Sequence, residues 1–129
     1  MKIGLKFCAI IFLLLCISCT TGKNSVSSDN SSHIVTSRNL ANYISTIPRL
    51  VVRGSGSNAQ VQNVTVSTIQ LDNRPLFIID GVQVGRDFGR VLSLINEHEA
   101  LEIEFMKVSR ATIRYGKSGR SGVILIKRG

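Results

Sequence analysis

The chain has 129 residues, 16 Lys+Arg against 8 Asp+Glu for a formal charge of +8, and 43% hydrophobic residues with five Phe, two Tyr and no Trp. That length and balance fit one domain and exclude collagen, wholesale disorder and a multi-span membrane protein. A large spanning β-barrel takes roughly 22 strands of about 10 residues each, more than 200 residues before its loops, so a chain of this length cannot form such a pore by itself.

Residues 1–6 hold two lysines and no acid, and residues 7–17 (FCAIIFLLLCI) are an unbroken run of eleven apolar residues. A spanning helix needs about 20 such residues, whereas the core of a secretory signal needs about 7 to 15. Residues 1–18 are therefore predicted to be an export signal. The following Cys16-Ile17-Ser18-Cys19 resembles the lipobox of bacterial lipoproteins, with a small residue just before the final cysteine and Cys16 where that motif usually has Leu. The resemblance implies cleavage before Cys19 and acylation there, palmitate included; the alternative is an ordinary secretory signal that leaves a free thiol. Cleavage would remove Cys8, Cys16, Lys2 and Lys6, leaving a charge of +6 and one cysteine, so no internal disulfide is expected. Two acyl chains, each buried methylene contributing about 0.8 kcal/mol, are enough for stable anchoring.

From Thr20 to Ser37 (TTGKNSVSSDNSSHIVTS) the chain is rich in Ser, Thr and Asn with little to bury, which predicts a flexible linker after the anchor, spanning residues 19–37. Eighteen flexible residues reach roughly 20 to 25 Å, about one headgroup layer. No acid directly follows Cys19, and the expected location is the periplasmic side of the outer membrane.

Residues 38–129 are the predicted domain. Leu40, Tyr43, Ile44 and Ile47 fall at i, i+3, i+4 and i+7, a short helix that Pro48 ends and that Thr36 or Ser37 is placed to cap. Leu50–Arg53, Val61–Val66 and Leu76–Ile79 read as strands. Asp80-Gly81 between Leu76–Ile79 and Val82/Val84 is a hairpin signal, because both residues tolerate positive φ. Phe88, Val91, Leu92 and Ile95 repeat the helical spacing, with Asp87 as cap. Leu101, Ile103 and Phe105 alternate with Glu102 and Glu104, a strand with its acids outward. Residues 123–126 are continuously apolar, as in a central strand covered on both faces. The predicted class is α/β in the loose, α+β sense: a small mixed sheet with two or three short helices.

Pro75-Leu76-Phe77-Ile78-Ile79-Asp80-Gly81-Val82, then residues 103–107 (IEFMK), Ala111, Tyr115-Gly116, Gly119 and Gly122 with the strand after it are together similar to the plug domain of TonB-dependent outer-membrane receptors. Leu40, Tyr43-Ile44, Ile47-Pro48 and Val52-Arg53-Gly54 resemble the opening of that domain, so the resemblance runs over residues 39–129. Arg49 stands where the family prefers Gly, Gln83 where it often has Pro, and Val108 where an acid is common. The chain ends at Lys127-Arg128-Gly129, where a receptor would continue into its barrel, so occlusion of a barrel of its own is not expected. The resemblance implies a plug-like protein-interaction module, with a barrel protein or a TonB-type transport component as partner. Pro75, Asp80, Gly81, Tyr115, Gly116, Gly119 and Gly122 are read as fold residues, the last three glycines permitting tight turns before the final strand. His33-Ile34-Val35-Thr36 is a faint match to an energy-coupling box, linker being the plainer reading.

Residues 111–118 (ATIRYGKS) fit a relaxed phosphate-loop pattern, but a strand rather than a helix is expected after Lys117-Ser118, so nucleotide binding is disfavoured. Glu97-His98-Glu99 lacks a third or fourth converging ligand, and no nucleophile, base and orienting residue assemble, so no metal, cofactor or catalysis is expected. Lys107, Arg110, Arg114, Lys117, Arg120, Lys127 and Arg128 place seven cations in 22 residues with no acid among them. The first five are an alternative binding site for anionic envelope polymers or lipids. With Tyr115 as the only interleaved aromatic, nucleic acid is not expected.

Overall fold

Four consecutive apolar residues, Val123-Ile124-Leu125-Ile126, require cover on both faces of a strand. The computed structural model, which describes residues 32–66 and 72–129, places them in the middle strand of a five-stranded sheet. The strands are β1 (His33–Thr36), β2 (Leu50–Arg53), β3 (Gln60–Asn63), β4 (Leu76–Ile79), β5 (Val82–Gly85), β6 (Ala100–Met106) and β7 (Val123–Arg128). The helices are α1 (Leu40–Thr46), α2 (Phe88–Leu94) and α3 (Val108–Tyr115). The sheet order is β1-β6-β7-β4-β5, with β7 parallel to β4 and the other neighbours antiparallel; β2 and β3 pair separately. The fold is α+β, as the sequence predicts.

The pleat sends alternate residues to opposite faces. Phe77 and Ile79, Leu101 and Ile103, and Ile124 and Ile126 turn to one face, where Leu40 and Ile44 of α1, Phe88 and Val91 of α2, and Leu50 and Val61 of the hairpin complete the main core. Leu76, Ile78, Met106 and Val123 turn to the other face, where Ala111 and Tyr115 of α3 meet them. Each fully buried residue of the size of Phe77 or Ile124 contributes about 1.5–3 kcal/mol.

Local chemistry sets the element ends. Asp87 caps α2, its carboxylate accepting from the N–H groups of Gly89 at 2.9 Å and Arg90 at 3.4 Å. The expected cap of α1 is not made: neither Thr36 nor Ser37 bonds the helix through its side chain. Ser37 is buried instead, its hydroxyl donating to the Asn96 carbonyl at 2.6 Å and its N–H to that of Glu99 at 3.1 Å, which ties the start of α1 to the α2–β6 turn. Ile47, expected in the helix, is extended because Pro48 disfavours the helical region for the residue before it. Ile95 likewise leaves α2 as an extended residue yet stays buried.

Two further expectations are corrected. The predicted linker runs to Ser37, but His33–Thr36 forms the edge strand β1 on β6, with Val35 opposite Leu101; two adjacent apolar residues were too weak a signal among Ser and Thr. The predicted strand Val61–Val66 begins one residue earlier and stops at Asn63, which turns the chain by accepting from the Thr65 N–H at 3.1 Å and hydroxyl at 2.6 Å. Asn63 is itself buried and donates to the Ser121 carbonyl at 3.1 Å, while the Ser121 hydroxyl donates to the Asp72 carbonyl at 2.5 Å. The signal segment and Cys19 lie outside the described residues.

Arg49 has φ +75°. The glycine preferred there by the resembling family thus has a physical reason, since only glycine enters this region without a steric penalty. Arg49→Gly is expected to raise the unfolding free energy by about 1 kcal/mol. Asn63→Ala, which strips bonds from Ser121 and Thr65 in a buried setting, is expected to lower it by roughly 1–3 kcal/mol. Urea denaturation checks both.

Candidate functional site

Of the residues that carry the resemblance, those from Pro75 onward gather around the β4–β7 pair, while Leu40, Tyr43 and Ile44 lie in α1 and Val52 and Arg53 in the separate hairpin. Pro75 is buried and leads into β4, and the Leu76 N–H donates to the Gly122 carbonyl at 3.0 Å, opening the parallel pairing in which Leu76 faces Val123 and Ile79 faces Ile126. Asp80 and Gly81 form the β4–β5 turn with φ of +48° and +84°, as the hairpin signal predicts. Asp80 does more than turn the chain. Its carboxylate accepts from the Arg128 backbone N–H at 2.9 Å and pairs with the Arg128 guanidinium at 2.5 Å, fastening the end of β7 to the hairpin.

Tyr115 sits half-buried at the end of α3 against the second core, and the Arg114 guanidinium lies 5.6 Å from the centre of its ring. Gly116, at φ +56°, ends the helix. Gly119 was expected to ease a turn, but its φ is not positive; the reason for glycine is space, because a Cβ there would stand 2.2 Å from the Ala111 carbonyl oxygen. Gly122 combines φ +86° with contact against the Phe105 ring. Sequence reasoning missed the side chain that locks this turn: Arg86 of the β5–α2 connection donates to the Arg74 and Ser118 carbonyls, the latter at 2.8 Å. A lone arginine among many gives no sequence signal for such a contact.

The five candidate anion-binding cations lie close together along the chain in the fold. Lys107 precedes the first turn of α3, Arg110 and Arg114 are one turn apart on it, and Lys117 and Arg120 follow in the turn to β7; all five are exposed. α3 is the third of the two or three short helices that the sequence predicts, and Tyr115 ends it. The phosphate-loop-like residues 111–118 therefore begin inside a helix and lead through a tight turn to a strand, the reverse of the order that cradles phosphate. In the Glu97-His98-Glu99 segment, Arg38 pairs with Glu97 at 3.4 Å and the Glu99 carboxylate accepts from the Asn96 N–H at 3.2 Å. His33 lies in β1 with its ring 5.6 Å from that of Tyr43.

Among the described residues three carboxyl groups are held below their ordinary range. For Asp72 the main cause is the side-chain hydrogen bond from Arg74 at 2.9 Å, and for Asp80 the backbone bond from Arg128, followed by its guanidinium. For Glu102 it is a hydrogen bond from Ser32, joined by Lys127 at 3.4 Å.

A stretch of the chain matches part of a known receptor. It is 37% identical over 60 residues to the TonB-dependent receptor P26 of Formosa agariphila, a match that takes in 46% of this chain and 6% of that receptor. No protein-family model matches the chain. The likeness is to a TonB-dependent receptor, in accord with a plug-like region. Among the described residues no helix is long and apolar enough to cross a membrane.

The lowered carboxyl groups make acid sensitivity predictable in sign. A group whose folded pKa lies below its unfolded value stabilises fully above the unfolded value, and that contribution is lost as pH falls through the folded one. The contribution of these three carboxylates is therefore expected to be fully present above about pH 5 and to fall as the pH drops below about 4. Asp80→Asn, which keeps an acceptor for the Arg128 N–H and tolerates positive φ, should flatten that fall. Denaturant midpoints at several pH values, for both proteins, provide the check.

Proposed function

We propose that the chain is a lipid-anchored, plug-like module that serves outer-membrane transport by engaging a protein partner, either a barrel protein or an energy-transducing component, and performs no catalysis. The observation that carries the reading is the convergence of the motif pieces on one sheet. Pro75 to Val82, the β6 segment, Tyr115-Gly116 and the Gly122 strand stand apart in sequence, yet they build one contiguous unit around β4, β6 and β7. Similarity to a TonB-dependent receptor supports the transport context. The lipobox-like Cys16-Ile17-Ser18-Cys19 supports the anchor, and the missing acid after Cys19 favours the periplasmic side of the outer membrane.

Cys19→Ser is expected to leave unprocessed precursor and to abolish incorporation of labelled palmitate; unchanged processing and unchanged membrane fractionation would contradict the anchor. Crosslinking in intact cells followed by purification of the full chain is expected to recover an outer-membrane barrel protein or an energy transducer. Recovery of neither, from cells in which the acylated chain is abundant, would remove the transport reading while leaving the anchor standing.

A further inference from the structure

The two faces of the sheet are unequally covered. On the main-core face α1, α2 and the β2–β3 hairpin pack over the strands, whereas on the other face α3 is the covering helix among the described residues. The two most exposed large apolar residues among the described residues both belong to this second side. Ile113 on α3 is 88% exposed. Ile34 on β1 is 81% exposed; it pairs with Glu102, which pairs with Lys127, and Lys127 shares a strand face with Leu125 and Val123, which lie in the α3 cluster.

Along the chain on either side of Ile113, from Lys107 onward, the charge has one sign. Arg110 and Arg114 flank it on α3, Lys107 precedes the helix and Lys117 and Arg120 follow it, with no acid from Lys107 to the end of the sequence. Of the two carboxylates on this face of the sheet, Glu102 is paired with Lys127, and Glu104 is the other. An isoleucine almost wholly in water and flanked along α3 and the turn after it by cations matches a surface that offers anionic groups and, just beneath them, hydrocarbon. A soluble polyanion satisfies the cations and gains nothing from Ile113. Nucleic acid would want stacking aromatics, and Tyr115, the aromatic at hand, is half-buried in the second core.

We propose that the α3 side of the domain docks on an anionic lipid bilayer, with Ile113 entering the headgroup boundary and Arg110, Arg114, Lys117 and Arg120 meeting the lipid phosphates. This goes beyond the function proposed above, because it needs no acyl chain and no protein partner.

The test uses the full chain carrying Cys8→Ser, Cys16→Ser and Cys19→Ser, which cannot be acylated. A single cysteine is then introduced by Ile113→Cys or, on the opposite side of the sheet, by Ser93→Cys, and labelled with an environment-sensitive fluorophore. Vesicles of phosphatidylglycerol should shift the emission of the label at 113 to the blue and leave the label at 93 unchanged, while phosphatidylcholine vesicles, which the apolar N-terminal segment can also enter, should shift neither. Arg114→Glu with Lys117→Glu should weaken the response at 113 by at least about tenfold, and so should raising salt to roughly 0.5 M. Equal responses at 113 and 93, a response at 113 that phosphatidylcholine reproduces, or no response at 113 to any vesicle would overturn the proposal. A response at 113 to a soluble polyanion such as heparin but not to phosphatidylglycerol would overturn it in favour of polymer binding.

Discussion

The structure depends on a four-residue run, Val123-Ile124-Leu125-Ile126, that has no polar face to give to water. A strand of this kind is stable only between two other strands and between two apolar layers. β7 finds both: β4 runs parallel on one side, β6 antiparallel on the other, Ile124 and Ile126 enter the main core, and Val123 and Leu125 meet the α3 layer. The rest of the molecule supplies that cover. Several side-chain contacts that reach across the chain secure the same strand and its approach: Asp80 grips Arg128 at its end, and Asn63, Ser121 and Arg86 fix the turn before its start.

Cover on two sides also divides the labour of the surface. One side is spent on packing, because α1, α2 and the hairpin bury against it. The other carries, among the described residues, a single short helix whose inner residues, Ala111 and Tyr115, hold the second core while its outer residues include the cations Arg110 and Arg114 and, at Ile113, an exposed apolar side chain. One side maintains the fold, and the other is available to its surroundings.

What the sequence made legible was whatever depends on spacing within a few residues. The alternation of Leu101, Ile103 and Phe105, the Asp80-Gly81 turn, the Asp87 cap and the apolar run of β7 are local patterns whose physics is complete in a short window. β1 escaped because Ile34 and Val35 are two apolar residues beside Ser, Thr and His; only pairing with β6 makes them a strand. α3 was half legible, since Val108, Ala111 and Tyr115 sit at i, i+3 and i+7, but its two arginines and exposed Ile113 disguised the buried stripe. Asn63 ended a strand that its apolar neighbours would have extended, because a side chain able to satisfy backbone donors offers an alternative to the ladder. The five cations were legible as a segment. Their disposition along one helix and the turn after it was not, and neither were the contacts of Arg86, which join residues 12 and 32 positions away.

Hydrogen exchange of the native protein tests the central role of β7 most directly. If the two-sided burial of this strand holds the domain together, the amides of residues 123–126 and of β4 beside them exchange only through global unfolding, and their exchange free energies equal the unfolding free energy from denaturant. Edge strand β1 and the separate β2–β3 pair then open at lower free energy. Amides of β7 that exchange as fast as those of β1, while β2 and β3 remain protected, would show that the domain is organised around another element and would contradict the account.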